Sequence, residues 1–79
     1  MPRRPVYEQV IDDITTAIRT GQLKPGDRLP SIADLCVQYE ASATPIRHAL
    51  LLLDARGWIE THQGRGSFVA AHPPGTAAG

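Results

Sequence analysis

Two segments of helical character lie only three residues apart in this chain, and that spacing limits the fold more than any other feature. The first carries Ile32, Leu35 and Cys36 on its inward side. The second carries Ile46, Ala49, Leu50 and Leu53 at i, i+3, i+4 and i+7. Between them Tyr39-Glu40-Ala41 leaves room for a tight connection and nothing else. Pro30 breaks the chain ahead of the first segment and Ser31 is its N-cap, with Asp34 three residues on giving a weak capping-box pattern. The expected helix runs over 32–38. Ser42 caps the second segment, Pro45 sits in its first turn where a missing N–H costs nothing, and Gly57 ends it. Two helices joined this closely form a helix-turn-helix unit.

The flanking sequence completes a small α+β domain. Val10, Ile14 and Ile18, with Ile11 and Ala17 beside them, predict a first helix over 6–20, stopped by Gly21. Lys24-Pro25-Gly26-Asp27 carries turn chemistry, and Arg28-Leu29 has the makings of a very short strand. After Gly57 the period changes. Trp58 to His62 and Ser67 to Ala70 have strand composition, and Gln63-Gly64-Arg65-Gly66 is a Gly-rich turn, so the pair reads as a β-hairpin. The expected layout is a basic arm at 1–5, a winged helix-turn-helix at 6–70 with the hairpin as its wing, and a disordered Pro/Gly/Ala-rich tail at 71–79.

Several classes of protein are excluded at this level. Seventy-nine residues make one domain with a thin core. No apolar run approaches the roughly 18 residues needed to cross a membrane, and the MPRRP start is not that of a signal peptide. The single Cys36 allows no intrachain disulfide and suits a buried small hydrophobe in a reduced, cytoplasmic protein. His48, His62 and His72 lack the spacing of a metal cluster, so neither metal nor cofactor is expected. No nucleophile–base set is visible. Gly64-x-Gly66 is too short for a dinucleotide fingerprint and lies in a hairpin, so the chain does not read as an enzyme.

The layout points to duplex DNA. In a helix-turn-helix the second helix presents its N-terminal turn to the major groove. A Gly-Arg-Gly wing tip is slim and cationic, suited to a phosphate or a narrow minor groove. The net charge is zero, whereas most nucleic-acid-binding domains are basic. Distribution matters more: Arg3 and Arg4 stand at one end and Arg65 near the other, apart from Asp12 and Asp13. The candidate phosphate contacts are Arg3, Arg4, Arg47 and Arg65, with Arg28 in addition. About four contacts per protomer give a slope near −3.6 in log K against log salt. So few imply a homodimer on two half-sites, or further cations from a partner. His48, one turn beyond Thr44 on the outer side of the helix, either reads a base or phosphate or is simply solvated. Leu51 and Leu52 point away from the core stripe and with Ala55 make an apolar patch, the expected surface for self-association or a protein partner.

These residues also carry a resemblance. The segments PVYEQVIDDI, LKPGDRLPS, PIRHAL followed by Leu53, and RGWIETHQGRGSFV occur in the order and spacing of the DNA-binding domain of the GntR family of bacterial transcription regulators, which the chain resembles from Pro5 to Val69. The resemblance implies a sequence-specific regulator, with repression the expected sign, at the nucleoid. The recognition helix would cover 42–57 and the wing 62–67. Ser42 and Thr44 would contact phosphate or base edges, Arg47 the backbone, and Gln63, Gly64 and Arg65 the minor groove. Tyr7 would be structural. Family members pair this domain with a C-terminal effector-binding and dimerising domain.

The chain departs from the pattern at three places. Ala33 stands where PSERELA-type segments have arginine, Ala43 where an arginine follows the serine, and Glu40 where the turn has glycine. Two cations are missing and an anion is added. A winged helix reused for protein contact is the alternative that these changes, the neutral charge and the leucine patch favour.

Overall fold

The computed structural model describes residues 4–74. It contains α1 (Val6–Thr20), α2 (Ile32–Tyr39), α3 (Ala43–Ala55), β1 (Ile59–His62) and β2 (Gly66–Val69). The order is that of a winged helix-turn-helix. Burial of one stripe per helix builds the core. Val10, Ile14 and Ile18 of α1 meet Leu35 of α2 and Ile46, Ala49, Leu50 and Leu53 of α3, with Leu29, Ile59 and Val69 closing the wing side. Thr15 is buried in α1 because its hydroxyl donates to the Asp12 carbonyl at 3.1 Å, which satisfies it within the helix.

The wing is a two-stranded antiparallel hairpin with Ile59 opposite Val69 and His62 opposite Gly66. Against the sequence reading, β1 begins one residue later and β2 lies one residue earlier. Trp58 precedes β1, and Gly66 opens β2 instead of closing the turn. Arg28 bridges antiparallel to Phe68. The Leu29 N–H donates to the Ser67 carbonyl and the Val69 N–H to the Asp27 carbonyl, each at 2.8 Å. The segment before α2 is therefore a third rung that ties the wing to the helices and buries Leu29.

The ends of α2 and α3 use one device. After α3, Gly57 (φ 86) donates to the Asp54 carbonyl and Trp58 to the Leu53 carbonyl, a Schellman motif. After α2, Glu40 (φ 50) donates to Val37 and Ala41 to Cys36 in the same pattern. Glu40 thus occupies a left-handed position that costs an L-residue about 1–2 kcal/mol. Tyr39, beside it, donates its hydroxyl to Asp13 Oδ2 at 2.6 Å and fastens α2 to α1.

The expected disorder from Ala71 onward does not describe the first part of the tail. Residues 71–74 follow the domain, Pro73 is buried, and a methyl group at Gly57 would stand 3.9 Å from Pro74 Cδ. Residues 75–79, and Met1, Pro2 and Arg3 of the expected basic arm, lie outside the described residues.

Candidate nucleic-acid interface

The first turn of α3 is set by the sequence around the tight connection. Ser42 enters with extended backbone (φ −75, ψ 171) as N-cap, and its side chain makes no capping hydrogen bond. The hydroxyl is therefore not consumed by the helix. Pro45 sits in the first turn, and Ile46 anchors it, fully buried. Ser42, Thr44 and Arg47 are left exposed. Arg47 forms no ion pair among the described residues, so neither Asp54 nor Asp34 neutralises it.

The wing tip is fixed by a turn. Arg65 donates its N–H to the His62 carbonyl at 2.9 Å, and Gly64 takes φ 79 at the third position. That is the geometry of a type II turn, in which glycine stands where φ must be positive. Gln63, Gly64 and Arg65 are all exposed. The wing and α3 enclose a cleft floored by Ile32, Leu50, Thr61 and Ser67. Gln63 and Gly64 line its wing end, and Arg47 and Leu51 its helix end. The fold thus brings Arg47 of α3 and Gln63 and Gly64 of the wing tip to the two ends of one cleft, whereas Ser42, Thr44 and Arg65 are exposed but do not line it.

Three sequence expectations meet a different arrangement. Arg4 does not stand apart from the acidic residues of α1. It pairs with Asp12, and its carbonyl accepts from Gln9 Nε2 at 2.8 Å. Both partners are about half exposed, so the pair contributes little to stability, but it directs Arg4 along α1. His48 is exposed yet not simply solvated: its ring stacks on Tyr7 with centroids 4.6 Å apart and planes 28° apart, joining α3 to α1. Leu51 and Leu52 are unequal. Leu51 is 68% exposed, whereas Leu52 is half-buried, so the expected patch is reduced to one outward leucine.

Other features escaped the sequence reading. Val37 is 79% exposed on α2. Its place off the Ile32, Leu35, Cys36 side was the available signal. The Tyr39–Asp13 bond crosses between helices and has no local signature. Burial, followed by the hydrogen bond to Asp13 and the Asp13 charge, pushes the Tyr39 phenol well above its usual range. No cluster of three or more metal-ligating side chains occurs among the described residues. No helix among them is long and apolar enough to cross a membrane.

Comparison with known proteins agrees with this geometry. The family model for bacterial regulatory proteins of the gntR family matches residues 6–69. The transcriptional repressor YtrA of Bacillus subtilis is 36% identical over 66 residues, which is 84% of this chain and 51% of that protein. The Glc operon transcriptional activator of Escherichia coli K12 is 46% identical over 68 residues, 86% of this chain and 27% of the activator. The chain thus spans about half the length of one and little over a quarter of the other. Among solved structures, a transcriptional regulator from Oenococcus oeni superposes with a TM-score of 0.83 at 30% identity, covering 91% of this chain and 60% of that one. The AraR DNA-binding domain in complex with operator ORX1 superposes with a TM-score of 0.82 at 34% identity, covering 86% of this chain and 82% of that one. A winged helix-turn-helix matched along residues 6–69 places this chain in the GntR family of bacterial regulatory proteins.

Proposed function

We propose that this domain reads duplex DNA for a transcription regulator. The region 42–57 would lie in the major groove, and the wing, 62–67, at the neighbouring minor groove. The observation that carries the reading is the cleft between α3 and the wing, with Arg47 at its helix end and Gln63 and Gly64 at its wing end; Ser42 and Thr44 at the start of α3 and Arg65 at the wing tip are exposed. Thr44 and Ser42 reach base edges or phosphate, Arg47 holds the backbone, and Arg65 enters the minor groove. The similar AraR domain is known in complex with an operator, which supports DNA binding by this fold. Arg3 and Arg4 join as arm contacts once Arg4 exchanges Asp12 for phosphate. His48 contributes from the side of its ring not covered by Tyr7. Regulation by repression is the sign we favour, in the cytoplasm at the nucleoid, although the relatives include both a repressor and an activator.

Selection from a random duplex library at low and then higher salt tests the proposal. Recovery of an inverted repeat is the expected result, and its spacing gives the geometry of two protomers on two half-sites. Weak binding without an enriched sequence, lost as salt rises, would refute specific recognition. Pairing of protomers is part of the proposal because each offers so few cations. Tight binding of one half-site by a strict monomer would refute that part.

The outward Leu51 favours a second reading, contact with another copy or a protein partner through α3. Leu51→Glu alone tests it, since Leu52 is half-buried and its substitution would disturb the fold. Unchanged sedimentation and partner binding would remove this reading.

A further inference from the structure

A duplex that admits α3 to its major groove and the wing tip to the adjacent minor groove must pass one sugar–phosphate strand between them. That strand separates the two grooves, so it crosses the cleft between the α3 and wing walls. Arg47 supplies a cation at the helix end. The other cation lining this cleft comes from neither wall: it is Arg28, from the rung that precedes α2.

Arg28 is held from two sides. Its backbone is bracketed by the Leu29–Ser67 and Asp27–Val69 hydrogen bonds that lash this rung to β2. Its guanidinium lies against the bare face of Gly66, where a methyl group would stand 3.4 Å from Nε and 3.5 Å from Nη2. Gly66 has φ 104, a value that itself favours glycine. No carboxylate pairs with Arg28 among the described residues. The neighbouring Asp27 is turned to its own loop, accepting the Lys24 N–H at 2.9 Å. A planar cation backed by glycine and left without a counter-charge matches the geometry with which guanidinium groups take phosphate oxygens.

We propose that Arg28 is a phosphate-binding residue, positioned by Gly66 to hold the DNA strand that crosses between α3 and the wing. The inference rests on the DNA-binding reading above. It adds a cation on the wing side of a domain whose α2 and α3 carry Ala33 and Ala43 in place of arginine. The contact is to backbone, so it adds affinity without altering sequence preference.

The test titrates a labelled random-sequence duplex across a salt series with the wild type, Arg28→Gln and Arg28→Lys, and records a melting curve for each. Glutamine keeps a planar group against Gly66 without the charge. Loss of one phosphate contact lowers the magnitude of the log K against log salt slope by about 0.9. That loss is expected for Arg28→Gln, with an unchanged melting temperature and a near-normal slope for Arg28→Lys. An unchanged slope in Arg28→Gln would overturn the inference. So would equal losses in both variants accompanied by earlier melting, which would make Arg28 only a support of the wing. If the wild type itself fails to bind duplex, the DNA-binding reading falls. Wild-type binding with an unaltered Arg28→Gln slope removes this inference alone.

Discussion

The helical half of the molecule and the wing are held together by different physics. The helices are fixed by burial: Val10, Ile46 and Leu53 are fully enclosed, and each helix offers one apolar stripe to the others. The wing tip buries nothing and takes its shape from backbone geometry, the positive φ of Gly64 and Gly66 and one turn hydrogen bond. Charge follows the same division. The connection and first turn of α3 carry Glu40 and Ala43 with Arg47 as their cation, whereas the wing has Arg65 at its tip. The comparison teaches that a cation can stand on an element whose shape owes little to burial, so that its removal need not disturb the core.

The comparison can be broken most severely on the helical side. Leu53→Ala removes a fully buried side chain and is expected to destabilise the domain by about 2–5 kcal/mol, read by thermal or urea unfolding. Arg65→Ala should do the reverse. The melting temperature stays put while duplex affinity falls about tenfold and the salt slope loses about 0.9, as anisotropy titration would record. Should Arg65→Ala melt early instead, the separation of stability from grip would fail.

Glu40→Gly sharpens the contrast, because it relieves a left-handed backbone position held by a residue other than glycine. The expected gain is about 1 kcal/mol, or roughly 4–8 °C in melting temperature. Equal melting of the two proteins would mean that Glu40 has compensating contacts.

The smallest expected effect concerns pH. The folded state holds the Tyr39 proton more tightly than the unfolded chain, because burial and Asp13 oppose the phenolate. Stability from this group is complete below its unfolded pKa of about 10 and is lost as pH rises toward the higher folded value. Wild type should therefore lose more stability than Tyr39→Phe in alkaline solution, and parallel pH profiles would exclude the effect.

The two halves also differ in how much of them was legible in the sequence. The helices announced themselves through stripes and caps, as with Ile46, Ala49, Leu50 and Leu53 between Ser42 and Gly57. The wing was visible from its glycines, though β1 begins one residue later and β2, which Gly66 joins, lies one residue earlier. The candidate site was legible where exposure follows from helical phase or turn position, as for Thr44, Arg47 and Arg65. It was not legible where a partner comes from far along the chain. Arg4 on Asp12, His48 on Tyr7 and Arg28 on Gly66 depend on packing angles that no local pattern encodes.

The joint between the halves carries its own optical reporter. Trp58 is the only tryptophan in the chain. Its N–H closes the end of α3 on Leu53, its carbonyl accepts from Ala70 beyond β2, and its half-buried ring lies 5.8 Å from the Arg19 guanidinium carbon. Any swing of the wing relative to the helices changes the surroundings of that indole. Intrinsic fluorescence of the unlabelled protein therefore reports on this joint, and a change in emission on adding duplex would show that binding reaches the indole's surroundings.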